Sequence, residues 1–180
     1  TLKTPIQGNY NFEHLTKIHQ YLFEGLREYA GQLRRIEPFF KQNEYDVSLA
    51  TIFADVDEIL PTIDEMAQFL KENHYLKYLN HDDFVYEFAV SYAEFNFAHP
   101  FEEGNGRATR ILFKQLAQEA GYEFDTSHIT KQAWDAASML SCEHGVIYEL
   151  GNGRIEIEPN DDRDINPLID IMHQCLVRVV

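Results

Sequence analysis

Basic residues are scarce in this chain. Its 180 residues carry 15 Lys and Arg against 30 Asp and Glu, a formal net charge of −15. Tracking a nucleic-acid backbone requires clustered cations to neutralise phosphates, so the balance argues against a nucleic-acid partner. Cysteine is rare too: Cys142 and Cys175 allow at most one intrachain bridge. Free, partly buried thiols in a reducing cytoplasm are the expected state. Long apolar runs are missing, and no signal-peptide pattern opens the chain. No membrane partner is therefore expected, and the localisation is read as cytoplasmic. The chain begins at Thr1 rather than Met, so segments flanking it are left open. What is present is ordinary for a soluble globular protein, with 44% hydrophobic and 25% charged residues. Residues 1–180 are long enough for a single domain with a real core.

Helical periodicity dominates. Phe12, Leu15, Ile18, Leu22, Leu26 and Tyr29 share one helical face, with Asn11 as N-cap. His14 and His19 lie in that helix, but ligands five apart do not share a face, so both are read as structural or surface residues. A long pattern from Val47 to Leu70 includes Leu49, Ile52, Phe53 and Val56, and Pro61 should end or kink it. Residues 84–97 are apolar nearly all round, as expected of a central buried helix, and Asp82 or Asp83 can cap it. Gly121 is a C-terminal stop for the helix before it. Thr126 or Ser127 begins a further helix, and Pro167 opens the last one.

Between two of these helices stands His99-Pro100-Phe101-Glu102-Glu103-Gly104-Asn105-Gly106-Arg107-Ala108-Thr109-Arg110. Gly104, Asn105 and Gly106 permit tight backbone, so several N–H groups can point at one anion. They lead into a helix N-terminus, which carries orphan donors and a partial positive charge suited to phosphate. Arg107, Arg110 and Lys114 share the first two turns of one face, and arginine offers phosphate a planar fork of donors. Glu103 can hold Mg²⁺ beside the phosphates, with the adjacent Glu102 as competing candidate. His99 has the side chain whose ordinary pKa lies near neutrality, which suits a general base.

HPFEEGNGRATR satisfies every fixed position of H-P-F-x-[D/E]-G-N-G-R-x-x-R, the signature of the Fic domain, and the chain resembles that family over roughly residues 12–176. The resemblance implies an all-α, mainly helical class: a Fic-type bundle around a central buried helix, with a β-hairpin flap over the active site. It implies protein adenylyl transfer, in which AMP from Mg²⁺·ATP passes to a hydroxyl side chain (Tyr, Ser or Thr) of a target protein and pyrophosphate leaves. By carry-over, His99 is the base, Glu103 the Mg²⁺ ligand, and Gly104, Asn105 and Gly106 the anion hole. Asn105 also contacts the α-phosphate, Arg107 and Arg110 hold the β- and γ-phosphates, and Phe101 fixes the loop from the core. Rival readings are a Fic-fold enzyme that uses another donor or removes AMP, and a catalytically silent nucleotide- or partner-binding module.

Two details refine the expectation. Many Fic proteins are restrained by a helix carrying [S/T]-x-x-x-E-[G/N], and no Ser or Thr here has Glu four residues later. The brake is therefore a separate antitoxin-like inhibitor supplying a glutamate to Arg110, as in bacterial toxin–antitoxin pairs, or lies on a flanking segment, or is absent, the first being the preferred reading. The flap falls at about residues 34–46, a segment with Pro38 and several aromatics. The tetrapeptide GNGR recurs at Gly151–Arg154, where Val146–Leu150 and Arg154–Glu158 read as strands of a second small hairpin at 146–158, with Gly153 in its turn.

Overall fold

The computed structural model of the protein describes residues 5–37, 39–152, 154–160 and 163–179; Pro38 of the expected flap and Gly153 of the second GNGR lie outside them. Six helices form the body: α1 (Phe12–Phe23), α2 (Val56–Glu72), α3 (His81–Ala98), α4 (Asn105–Glu119), α5 (Lys131–Leu140) and α6 (Asn166–Cys175). An all-α class is nonetheless too strict. Strands β1 (Phe40–Gln42), β2 (Leu49–Ile52), β4 (Glu143–Gly151) and β5 (Arg154–Asn160) make an antiparallel sheet in the order β1-β2-β4-β5. A second small sheet pairs β3 (Tyr122–Phe124) with β6 (Leu176–Arg178). The architecture is mainly helical with two small sheets.

Helix α3 is the centre. Phe84, Val85, Phe88, Ala89, Tyr92, Phe95 and Ala98 are buried around its circumference, and α2, α4 and α6 pack against it. Phe113 of α4 meets Phe88, Tyr92 and Phe95 edge-to-face at 5.1, 5.0 and 5.4 Å. Each such ring contributes about 1.5–3 kcal/mol through burial, with a further increment for the aromatic geometry. Asn11 caps α1 by accepting from the His14 N–H, and Asn80, not Asp82 or Asp83, caps α3 by accepting from the Asp83 N–H. Gly121, at φ +86, follows the end of α4.

Three boundaries depart from the helical periodicity. Leu49 and Ile52 match a helical stripe, yet they lie in β2, which pairs on one side with β1 and on the other with β4. Two ladders outweigh a coincidental spacing, and the hairpin beside the motif therefore spans 40–52. Pro61 does not stop α2: the helix begins only at Val56 behind an Asp55–Glu58 capping box, and Pro61 sits inside it. Burial of Ile59, Ile63 and Leu70 offsets the one backbone bond that the proline removes. Helix α5 starts at Lys131 because Thr130 accepts from the Ala133 N–H, while Asp125 and Ser127 form a local turn. Cys142 and Cys175 are buried, free thiols. No helix among the described residues is long and apolar enough to cross a membrane.

Candidate active site

The motif is the junction of α3 and α4. Helix α3 ends when His99 turns left-handed, at φ 40 and ψ 59. That conformation costs a non-glycine residue about 1–2 kcal/mol, so neighbouring contacts must enforce it. The buried Arg34 does so: its Nε donates to the His99 carbonyl at 2.8 Å, and its main-chain N–H donates to the Pro100 carbonyl at 2.8 Å. The same guanidinium donates to the Ile36 carbonyl at 3.2 Å and to the Ala54 carbonyl. One side chain thus fastens the α3 terminus to the segments on either side of the β1–β2 hairpin.

The His99 ring is stacked on Phe53 at 3.7 Å and lies 5.8 Å from Phe39. Its Nδ1 is 3.1 Å from the Asn96 carbonyl, so Nδ1 carries the proton and Nε2 keeps a lone pair. Burial pushes its pKa down to about 3, an effect reinforced by the cations Arg34 and Lys41 and opposed by the Asn96 bond. The ring is neutral at physiological pH, and His99, half-buried, lines a cavity of about 550 Å³.

That cavity brings the predicted residues together. His99, Glu102, Glu103, Gly104, Asn105, Gly106, Arg107 and Arg110 all line it, with Phe40 to Tyr45 of the hairpin forming one wall and Lys131, Trp134 and Asp135 of α5 another. Gly104 supplies the sharp turn, with φ +82 as N-cap of α4, whereas Asn105 and Gly106 are already helical. Their N–H groups are orphan donors at a helix start. The Asn105 side chain also holds the loop. It is only 3% exposed, its Oδ1 accepts from the Phe101 N–H at 2.9 Å and its Nδ2 donates to the Phe101 carbonyl at 2.6 Å. Phe101 is fully buried, as expected of the residue that pins the loop.

Arg107 lies over the Phe23 ring at 4.5 Å and Arg110 over Trp134 at 5.7 Å. Among the described residues, neither is ion-paired to a carboxylate. In a chain of net charge −15, two arginines left unneutralised at a helix N-terminus make a local field for a polyanion. Lys114 does not line the cavity. Both Glu102 and Glu103 are exposed, but Glu103 alone is oriented, because Tyr29 Oη donates to its Oε2 at 2.9 Å. A fixed, exposed carboxylate oxygen donor suits a hard cation such as Mg²⁺.

Position-by-position reading missed four supporting residues. His19, taken as structural, is buried with its ring stacked on Phe101 at 3.8 Å. Its Nδ1 accepts from the Gly31 N–H, so Nε2 donates to the Glu103 carbonyl at 2.9 Å and holds the loop from beneath. Arg34, Tyr29 and Asn96 are the others. Nothing in their local spacing marks them, since each acts across a long sequence separation or through a backbone group.

The comparisons agree with this geometry. Among curated proteins, the chain is 33% identical over 139 residues to protein adenylyltransferase VbhT of Bartonella schoenbuchensis, covering 77% of this chain and 27% of that protein. It is 37% identical over 125 residues to the probable protein adenylyltransferase Fic of Escherichia coli, covering 69% of this chain and 58% of the other. Both matches thus span less than two thirds of the relative. In fold it is similar to the N-terminal Fic domain of a putative cell filamentation protein from Bartonella quintana with bound ADP, with a TM-score of 0.77, 24% identity and coverage of 98% and 77%. The BepC protein of Bartonella tribocorum with bound AMPPNP gives 0.74, 23% identity and coverage of 99% and 80%. The Fic/DOC family model matches residues 9–117, which hold α1, the β1–β2 hairpin, α2, α3 and the whole junction just described, and by that match the chain belongs to the Fic/DOC family.

Proposed function

We propose that the chain is a protein adenylyltransferase, transferring AMP from ATP to a Tyr, Ser or Thr hydroxyl of a target protein with release of pyrophosphate. The observation that carries it is that His99 lines the same cavity as the α4 N-terminus and its two arginines. The His99 Nδ1 is engaged by the Asn96 carbonyl so that Nε2 keeps its lone pair, and neither arginine is ion-paired to a carboxylate among the described residues. His99 takes the proton of the attacking hydroxyl. The Asn105 and Gly106 N–H groups and the helix dipole stabilise the phosphate charge, and Arg107 and Arg110 hold the β- and γ-phosphates, so catalysis is mostly positioning and electrostatics. Glu103, with Tyr29 behind it, would hold Mg²⁺, which when bound neutralises phosphate charge. The names of the relatives and the nucleotides bound to the fold neighbours support the same reading.

Strand β1 is the edge of its sheet and lines the cavity, so an extended target segment can add to it and bring its hydroxyl toward His99. Arg110, without a carboxylate partner among the described residues, is open to a glutamate from a separate inhibitor. The test is incubation with α-labelled ATP, Mg²⁺ and a bacterial lysate, wild type beside His99→Ala. Label in a protein band with wild type alone is expected. Equal label with both proteins removes His99 as base, and protein label from γ-labelled but not α-labelled ATP removes AMP transfer.

A further inference from the structure

The pole of α3 opposite His99 carries a second convergence of donor side chains. His81 and Asp82 begin α3, and His173 lies in the last turn of α6. One ligand atom from each lies within 4.8 Å of the others, and no other three His, Cys, Asp or Glu meet in this way among the described residues. Helix α3 has 18 residues, so at about 1.5 Å rise per residue the cluster stands roughly 27 Å from His99. It belongs to neither the cavity nor the phosphate-binding turn.

Its chemistry is selective. The His81 ring stacks on Tyr122 at 5.7 Å, and Tyr122 on Phe84 at 3.9 Å, so one ligand is held by the core. The His81 and His173 rings stand 5.6 Å apart at 62°. Asp82 and His173 are exposed, and Asp82 makes no ion pair among the described residues. The carbonyl end of α6 favours a cation, and Asp82 and Asp83 offset the opposing partial charge at the start of α3.

We propose that His81, Asp82 and His173 bind a transition-metal dication of the zinc class. Two imidazoles and one carboxylate, with a fourth position for water, form a usual donor set for such ions, and imidazole discriminates against Mg²⁺ and Ca²⁺. Tetrahedral ligation brings ligand atoms to about 3.3 Å of one another, a closure that rotation of the two exposed side chains supplies. The bound ion ties the start of the central helix to the end of α6, immediately before β6, and braces the pole where β3 and β6 pair.

The test uses the full chain, stripped with EDTA and dialysed. Zn²⁺ is titrated by calorimetry and Co²⁺ by visible absorption, both in millimolar Mg²⁺. The expected result is a site that Mg²⁺ does not displace, weakened on the order of tenfold or more in Asp82→Ala and in His173→Ala. Both replaced residues are exposed, so metal-free His173→Ala should melt close to wild type and Asp82→Ala slightly lower, for the charge it loses at the start of α3. Zn²⁺ should raise the melting temperature of wild type but not of His173→Ala. Glu103→Gln should bind Zn²⁺ as wild type does. Absence of Zn²⁺ uptake by wild type, unchanged uptake by His173→Ala, or loss of uptake in Glu103→Gln each overturns the proposal.

Discussion

Replacing Gly104 by alanine probes the turn on which the proposed phosphate-binding end of α4 depends. Gly104 has φ +82, and an added Cβ would run into the Phe23 ring, with Cζ at 2.5 Å, and lie 3.2 Å from His19 Nε2. The ring has little room to yield, because it is buried, lies beneath the Arg107 guanidinium at 4.5 Å and adjoins the His19 ring at 4.6 Å. The left-handed backbone costs alanine about 1–2 kcal/mol, and overpacking a close-packed site costs about 1–3 kcal/mol more. A total near 3 kcal/mol corresponds to a melting temperature lower by about 6–12 °C at this chain length. Gly106→Ala is the matched control. Gly106 is not left-handed, and its added Cβ would meet Arg110 Nη1 at 3.7 Å, an ordinary contact. Alanine in a helix is favoured over glycine by up to about 1 kcal/mol, so this variant should melt at or slightly above wild type. Thermal unfolding by circular dichroism separates the two, and ATP calorimetry should show Gly104→Ala binding more weakly. A Gly104→Ala protein as stable as Gly106→Ala would refute the assignment of the turn to Gly104.

Tyr29→Phe removes only the hydroxyl that orients Glu103; it should leave stability within about 0.5 kcal/mol while raising the Mg²⁺ concentration for half-maximal transfer, and unchanged Mg²⁺ dependence would detach Tyr29 from the site. Arg34→Met strips donors from the His99, Ile36 and Ala54 carbonyls. Ile36 is exposed and can turn to water, and with the other two acceptors costing about 1–3 kcal/mol each, urea denaturation should show a loss of about 2 kcal/mol or more. Arg34→Lys should recover only part of it, because one ammonium cannot reproduce the fork. His14, His19 and His99 all have pKa values pushed down, chiefly by burial, from the ordinary 6.5. The folded chain then binds fewer protons than the unfolded chain between about pH 3 and 6.5, so stability should rise with pH across that window and be lost as pH falls through it. A melting temperature flat from about pH 4 to 7 would contradict this. For the same reason the rate of transfer should show no inflection near pH 6.5, where a histidine with an ordinary pKa would titrate; such an inflection would point to a different base.

The helices were legible because their cores are periodic. Residues 84–97 announce a helix buried all round, and Asn11 and Gly121 act where capping and terminating residues should. The hairpin expected at 146–158 was legible as well, and it forms as β4 and β5, but the other strands were not, for a physical reason. Tyr122–Phe124 and Leu176–Arg178 are three residues each and exist only because they find one another across the fold. Leu49–Ile52 carries no alternation that outweighs its chance helical spacing, and its identity comes from ladders to β1 and β4 on either side. Of the site, the residues that face the cavity were readable from the motif, since phosphate-type chemistry dictates glycines, arginines and a helix start together. The residues that hold them were not. Arg34 and His19 work through backbone carbonyls 65 and 84 positions away, and a carbonyl has no sequence identity to recognise.

The repeated tetrapeptide shows how much of a site lies outside its motif. Gly104 and Gly151 have nearly the same backbone, φ +82 and +86, so the first glycine turns the chain alike in both copies. The second residue divides them. Asn152 continues left-handed, at φ 53, and is exposed in a turn across which Gly151 pairs with Arg154. Asn105 is instead helical and buried, because its amide spans the Phe101 N–H and carbonyl while Phe101 is gripped by His19. At Gly151 the flanking strands hydrogen-bond to each other, and the chain returns on itself. At Gly104 the preceding loop is fastened to α1 through His19 and the α3 terminus to the hairpin through Arg34, so the chain has one way to continue, as a helix whose first N–H groups face the cavity. The geometry of the proposed anion site is therefore a property of those anchors. Without such anchors, the second copy lies between two paired strands, where Gly151 faces Arg154.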